Sequence, residues 1–440
     1  MPVSPPLPAH ALLVFLLQLA VLLLLALCLG RLATRLGMPS IVGELLTGVL
    51  LGPSLLGHLA PGFTGWLLPV APSQAHLLDG VGQLGVLLLV GIAGAQMDTR
   101  LLRRRAPTAA RVSLAGLVIP LGLGIGLGFL LPVSLRAGGG SLVFALFLGV
   151  AMCVTALPVI VKTLTDMNLL HREIGQLTIA AGMVDDAVGW LLLSVVSAMA
   201  TTGLRADRVA LSVFILIAFV LLMLLVIRHA VRPLLRLTSR VDDPGPTVAL
   251  TVVVILLSAA ATHALGMDPI FGAFLAGLVI GPAQARRLAA LRVVVLGVLA
   301  PIFLASAGLR MDLTALAVPG VALAAVIVLA VAILGKFAGA YLGARGSGLN
   351  AWEGLALGAG MNSRGVVEVV VAMAGLRLGI LNAATYTIIL LVAVITSVMA
   401  PPLLRLAMNR VEHTADERLR EREQHSWTLP AAERRHDGGL

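Results

Sequence analysis

Charge is scarce in this 440-residue chain: Asp, Glu, Lys and Arg make up 12% of it, against 59% hydrophobic residues and a mean hydropathy of +1.03. Soluble domains carry about 25% charged residues, so a water-soluble fold is excluded. Cysteine is nearly absent, and both residues, Cys28 and Cys153, fall in apolar runs, which excludes a disulfide framework and a cysteine metal cluster. The first ten residues, MPVSPPLPAH, lack the Lys or Arg that opens a secretory signal peptide, so residues 11–30 are expected to be a retained first span. No Gly-rich phosphate loop ends in Lys-Ser/Thr, and there is no His-Glu-x-x-His and no Cys/His set at zinc spacing. An enzyme is therefore not expected, nor a cofactor. The net charge of +10 is spread over short loops instead of forming one patch, which argues against nucleic acid and for membrane orientation.

What is present is a series of apolar stretches separated by Gly, Pro and charged loops. They predict thirteen helices, at about 11–34, 40–57, 77–97, 107–131, 141–164, 174–200, 209–235, 247–264, 268–283, 290–310, 317–343, 351–375 and 381–405. Alternate loops differ in charge. One set holds 17 basic residues, including Arg31, Arg35, Arg100, Arg103, Arg104, Arg105, Arg286 and Arg287, and the other holds five, Arg136, Arg205, Arg208, Arg310 and Arg377. The first set is read as cytoplasmic, with the N-terminus outside and the C-terminus inside. Trp66, Trp190 and Trp352 read as interfacial anchors.

Three motifs recur in order. Residues 43–53, GELLTGVLLGP, return at 272–282 as GAFLAGLVIGP, sharing Gly43/Gly272, Leu46/Leu275, Gly48/Gly277, Gly52/Gly281 and Pro53/Pro282. GAQMD at 94–98 returns as GLRMD at 308–312, and GVAM at 149–152 as GAGM at 358–361. Each pair is displaced by seven spans. An odd displacement reverses direction through the bilayer, so helices 1–6 and 8–13 are read as inverted repeats. The fifth helix has Thr155 and Pro158 in mid-membrane, and its repeat mate reads Met361-Asn362-Ser363-Arg364-Gly365. A Pro and a Gly at corresponding positions mark broken helices, whose freed backbone groups can accommodate an ion.

Few ionisable residues sit deep in the apolar spans: Glu44, Asp185, Asp186, Lys336, Arg364 and Glu368. Adjacent acids at that depth are costly and imply a function. Lys336 is too deep to reach the interface and needs a carboxylate, so a pair with the Asp185/Asp186 helix answers both problems. Arg364 and Glu368, spaced i,i+4, are expected to pair along one face in a structural role. Glu44, early in the second helix, reads as a helix-start or gating residue.

Taken together, Pro39-Ser40-Ile41-Val42-Gly43-Glu44 through Gly52-Pro53, Thr155-Ala156-Leu157-Pro158-Val159, Val184-Asp185-Asp186, Gly335-Lys336-Phe337-Ala338-Gly339 and Met361-Asn362-Ser363-Arg364-Gly365-Val366-Val367-Glu368 resemble the sodium/hydrogen exchanger-type membrane domain of the cation:proton antiporter superfamily. The branch is the one containing bacterial potassium-efflux antiporters and plant cation/proton exchangers. The resemblance implies an all-α membrane homodimer. In it a core domain with two crossed broken helices (about 107–200 and 317–405) moves against a dimerisation domain (about 11–97 and 247–310), joined by a linker helix at about 209–235 and followed by a polar cytoplasmic tail, 406–440.

By the same resemblance Asp186 is the ion ligand, Thr155 faces the site, and Asp185 with Lys336 is the pair of electrogenic members. Pro158, Asn362, Ser363, Arg364 and Glu368 support the breaks. The expected activity is exchange of Na⁺ or K⁺ for protons, electrogenic and by alternating access, in a multi-pass protein of the bacterial inner membrane. A cation channel or a sodium-coupled symporter of related fold is the alternative.

Overall fold

The computed structural model is helical, and it describes residues 8–68, 72–95, 106–138, 140–167, 169, 172–202, 206–238, 243–281 and 288–412. Met97, Asp98, Arg100, Arg103–Arg105, Arg205, Arg240, Pro282, Arg286, Arg287 and tail residues 413–440 lie outside that set, as does the side chain of Pro158. Among the described residues, ten helices are long and apolar enough to cross a bilayer: Ala9–Arg35, Ser40–Leu59, His76–Ala95, Pro107–Leu130, Glu173–Thr201, Phe214–Thr238, Gly245–Ala264, Ala289–Ala317, Pro319–Arg345 and Ala383–Met408. Ala351–Met361 and Val366–Arg377, bent by 46° at their break, make an eleventh if taken as one span.

Two of the expected spans are shorter than the apolar pattern implies. The run at 141–164 is divided into Gly140–Cys153 and Leu157–Asp166. The run at 268–283 holds the 12-residue helix Pro269–Ile280. Asp268 starts that helix by accepting a hydrogen bond from the Ile270 N–H, and Gly281, at φ 74°, ends it. The span expected at 290–310 changes pitch, with a π-helical stretch, Val295–Leu299, between Ala289–Val294 and Ala300–Gly308.

The segments that share sequence also share local geometry. Leu36-Gly37-Met38 and Leu265-Gly266-Met267 make the same turn, with Gly37 at φ 76° and Gly266 at φ 75°. The amide of Met38 donates to Ala33 O and that of Met267 to Thr262 O, each at 2.9 Å, closing the preceding helix in a Schellman arrangement. Further on, a Cβ at Gly48 would lie 1.9 Å from the Ala305 carbonyl oxygen, and one at Gly277 would lie 2.1 Å from that of Gly91. Ser40–Leu51 therefore meets Ala300–Gly308 backbone to backbone, as Pro269–Ile280 meets Pro72–Ala95. Close approach through small residues is how apolar helices gain contact where the surrounding lipid is equally apolar.

Trp190 corrects an expectation. It is no interfacial anchor but buried, 2% exposed, with its ring centroid 6.4 Å from that of Phe274. The helix bearing it, Glu173–Thr202, is 30 residues long, which puts position 190 in the middle of the bundle. Trp66 and Trp352 are exposed near helix ends, and Trp352 lies under the Arg410 guanidinium, 5.2 Å from ring centroid to Cζ. The last helix continues to Met408, and Arg172 donates to the carbonyls of Val411 and Glu412.

Candidate functional site

Two helices lose their regular hydrogen bonding inside the bundle, one at Val154–Ala156 and the other at Asn362–Gly365. The two stretches touch: the amide of Ala156 donates to Ser363 O at 3.1 Å. A helix that ends in mid-membrane leaves carbonyl groups that no water reaches, and each must find a donor in the protein. Two cations supply them. Lys336 Nζ lies 2.5 Å from Cys153 O. Arg364 donates to Ala151 O at 3.2 Å, Met152 O at 2.5 Å and Ala332 O at 3.1 Å. Both thus stand at the C-terminal end of Gly140–Cys153, the negative pole of its dipole.

Each cation is also matched by an acid. Lys336 Nζ is 2.5 Å from Asp185 Oδ2, with both side chains fully buried. Arg364 Nη1 is 2.9 Å from Glu368 Oε1, as the i,i+4 spacing predicts. Asp185 accepts two further hydrogen bonds, from Thr155 Oγ1 at 2.7 Å and from Ser113 Oγ at 2.5 Å. Lys336 reaches this position because Pro319–Arg345 packs closely on Ala106–Leu130, the helix that carries Ser113.

Asp186 is different. It is 3% exposed and faces the first turn of Leu157–Asp166, where the Leu157 N–H bonds it. A helix N-terminus favours a carboxylate. Its Oδ1 has no hydrogen-bond partner among the described residues, and neither do the amide group of Asn362, Ser363 Oγ and Glu368 Oε2, all buried. Asp186 is therefore an acid with spare oxygen capacity and, among the described residues, no basic side chain bound to it.

The residues singled out from the sequence separate into two places. Asp185, Asp186, Thr155, Lys336, Asn362, Ser363, Arg364 and Glu368 belong to the two breaks and the helices pinned to them. Thr155 is in the expected stretch, but its hydroxyl donates to Asp185 and not to Asp186. Glu44 is elsewhere, in a separate crevice that none of these residues lines. Ser113 was missed, because a single Ser in an apolar span carries no mark distinguishing a ligand of a buried acid from a helix-packing hydroxyl. The backbone acceptors of Lys336 and Arg364 leave no trace in residue type at all.

Charged side chains gathered at two interrupted membrane helices define a transporter-like centre. The family model described as sodium/hydrogen exchanger, transmembrane, matches residues 20–410, and the chain belongs to that family of membrane transporters. It is similar to "Na(+)/H(+) antiporter NhaS4" of Synechocystis, 32% identical over 90% of this chain and 97% of the relative. It is also similar to "Cation/H(+) antiporter 17" of Arabidopsis thaliana, 31% identical over 90% of this chain and 48% of the relative, so the chain spans about half the length of that plant protein. Its fold is like that of the sodium proton antiporter MjNhaP1 from Methanocaldococcus jannaschii, with a TM-score of 0.63 at 18% identity, covering 90% of this chain and 99% of the other.

Proposed function

We propose that the protein is a secondary antiporter that exchanges Na⁺ or K⁺ for protons at Asp186. The observation that carries this reading is the charge balance of the buried centre. Asp185 is matched by Lys336 and Glu368 by Arg364, which leaves Asp186 as the acid whose charge a monovalent cation or a proton would neutralise. A carboxylate withdrawn from water favours whatever neutralises it, so the two ions compete for one seat. Competition becomes obligatory exchange when the seat changes sides only while occupied. Names of relatives that include Na(+)/H(+) exchange support the cargo class.

The rest of the reading follows the same resemblance. The parts carrying the two breaks, about 107–200 and 317–405, act as the moving core. The glycine-locked parts, about 11–97 and 247–310, act as the dimerising frame, with 209–235 as linker in a homodimer. Matching turns at Gly37 and Gly266 and matching contacts at Gly48 and Gly277 support inverted repeats within a thirteen-span plan. The N-terminus is placed outside and the C-terminus in the cytoplasm of a bacterial inner membrane. Cation binding at Asp186 weakens the Asp185–Lys336 pair, and with that pair as a second carrier the exchange moves more than one proton per cation.

Purified protein in liposomes with an imposed pH gradient tests both levels. Addition of Na⁺ or K⁺ should dissipate the gradient, and Asp186→Asn should reduce the response to that of empty liposomes. Retained exchange in a folded Asp186→Asn protein sinks the assignment. An imposed membrane voltage should alter the wild-type rate, whereas insensitivity to voltage would mean one proton per cation.

A further inference from the structure

Glu44 is a membrane-embedded acid that the proposed exchange does not use. It lines a crevice of about 190 Å³ with Leu23, Leu27, Arg31, Ser40 and Leu296 among its walls. Gly30 and Gly297 line its floor: the Glu44 side chain packs over Gly30 at ordinary contact distance, and Gly297 has open space where its Cβ would be. Gly297 belongs to the π-helical stretch Val295–Leu299, and π turns inside α-helices concentrate at functional sites. At the matching position of segment 272–282 the residue is Ala273, buried, so that place in the fold does not itself require an acid.

Two opposite charges face this crevice without neutralising each other. Among the described residues no ion pair joins Arg31 and Glu44. Ser40 hydrogen-bonds the Glu44 side chain, and Arg31 is exposed. Glu44 sits four residues into its helix and Arg31 four before the end of its own, so both lie roughly 6 Å from where those helices meet the turn at Gly37. That is headgroup depth for helices that cross a bilayer. Leu27 and Leu23 continue from Arg31 along the same helix face for about 12 Å toward the hydrocarbon.

We propose that this crevice binds a phospholipid with a primary-amine headgroup: the ammonium at Glu44, the phosphate at Arg31, and an acyl chain against Leu23, Leu27 and Leu296. The charges are complementary in sign. An ammonium with N–H donors bonds a carboxylate, whereas a quaternary choline of nearly the same size cannot donate. The phosphate meets a guanidinium built for it.

The test is native mass spectrometry of the detergent-purified full chain, incubated with phosphatidylethanolamine, phosphatidylcholine or phosphatidylglycerol of identical acyl chains. Wild type should retain phosphatidylethanolamine about tenfold better than phosphatidylcholine, as expected for one charge-assisted hydrogen-bonded contact. Glu44→Gln should erase that preference. Arg31→Gln, at an exposed position that leaves the fold intact, should weaken both phosphatidylethanolamine and phosphatidylglycerol. Equal retention of the amine and choline lipids overturns the proposal, as does a monodisperse Glu44→Gln protein that keeps the preference. Phosphatidylglycerol held more tightly than phosphatidylethanolamine overturns it in favour of a simple anion site. A Glu44→Gln change in oligomeric mass with lipid retention unaltered overturns it in favour of a second copy covering the crevice.

Discussion

Lys336 and Asp185, 151 residues apart in sequence, form an ion pair at 2.5 Å with no exposure to solvent on either side chain. A buried pair of this kind contributes little net stability as a pair, but removing one member strands the other charge, at a cost of about 3–5 kcal/mol. Lys336→Met alone should therefore lower the thermal midpoint of the purified protein sharply. Adding Asp185→Asn should restore most of the loss, since the Asn Oδ1 can accept from one of the Ser113 and Thr155 hydroxyls while its Nδ2 donates to the other. Thermal unfolding in detergent checks this, and a double variant no more stable than the single one counts against it.

The competition proposed at Asp186 sets a pH dependence with a definite sign. A proton on Asp186 excludes the cation, so acidification should raise the apparent KM for Na⁺ or K⁺, by up to about tenfold per pH unit in the competitive range. The rate at saturating cation should stay nearly constant over the same range. Initial rates in proteoliposomes across a pH series separate the two quantities, and a falling maximal rate with constant KM would point to a titrating group other than the cation seat.

Arg364 is defined by its number of donors as much as by its charge. It serves the carbonyls of Ala151, Met152 and Ala332 together with Glu368, which a single ammonium cannot span. Arg364→Lys should therefore cost roughly 3 kcal/mol through stranded carbonyls and abolish exchange. Glu368→Gln keeps an acceptor for Arg364 and every carbonyl contact, so its cost is that of the stranded guanidinium charge and exchange should survive it. Loss of exchange in a folded Glu368→Gln protein would show that charge at Glu368, and not carbonyl capping, is the requirement.

Backbone contact leaves no room at Gly48. Gly48→Ala would place its methyl 1.9 Å from Ala305 O, and the forced separation should destabilise by at least about 1–3 kcal/mol. Gly122→Ala is the matched control: no atom lies within 4 Å of its added Cβ, and Ala is the better helix former. Thermal midpoints should fall for the first and hold or rise for the second.

The charged centre was largely legible in the sequence because burial forces pairing. Lys336 in an apolar run had to find an acid, and Arg364 had Glu368 one turn away. The breaks were legible because a helix-breaking residue, Pro158 in one run and Gly365 in the other, interrupted each. Illegible were the contacts that residue type does not encode: the carbonyl groups of Ala151, Met152, Cys153 and Ala332, and the hydroxyl of Ser113. Trp190 went astray because an aromatic in an apolar run looks alike in residue type whether it meets lipid headgroups or Phe274. The helix count was blurred where the break at Val154–Ala156 divides a stretch that stays apolar on both sides.

The bond that ties the two interrupted stretches, Ala156 N to Ser363 O, runs between main-chain atoms. No exchange of side chain deletes it unless proline replaces Ala156, so mutagenesis of the neighbouring side chains leaves this main-chain contact in place. Thr155, Asn362 and Ser363 can thus be randomised together in a library selected for altered choice among alkali metals. Variants recovered from it would differ in the chemistry they offer and not in how the two strands of the crossing are fastened.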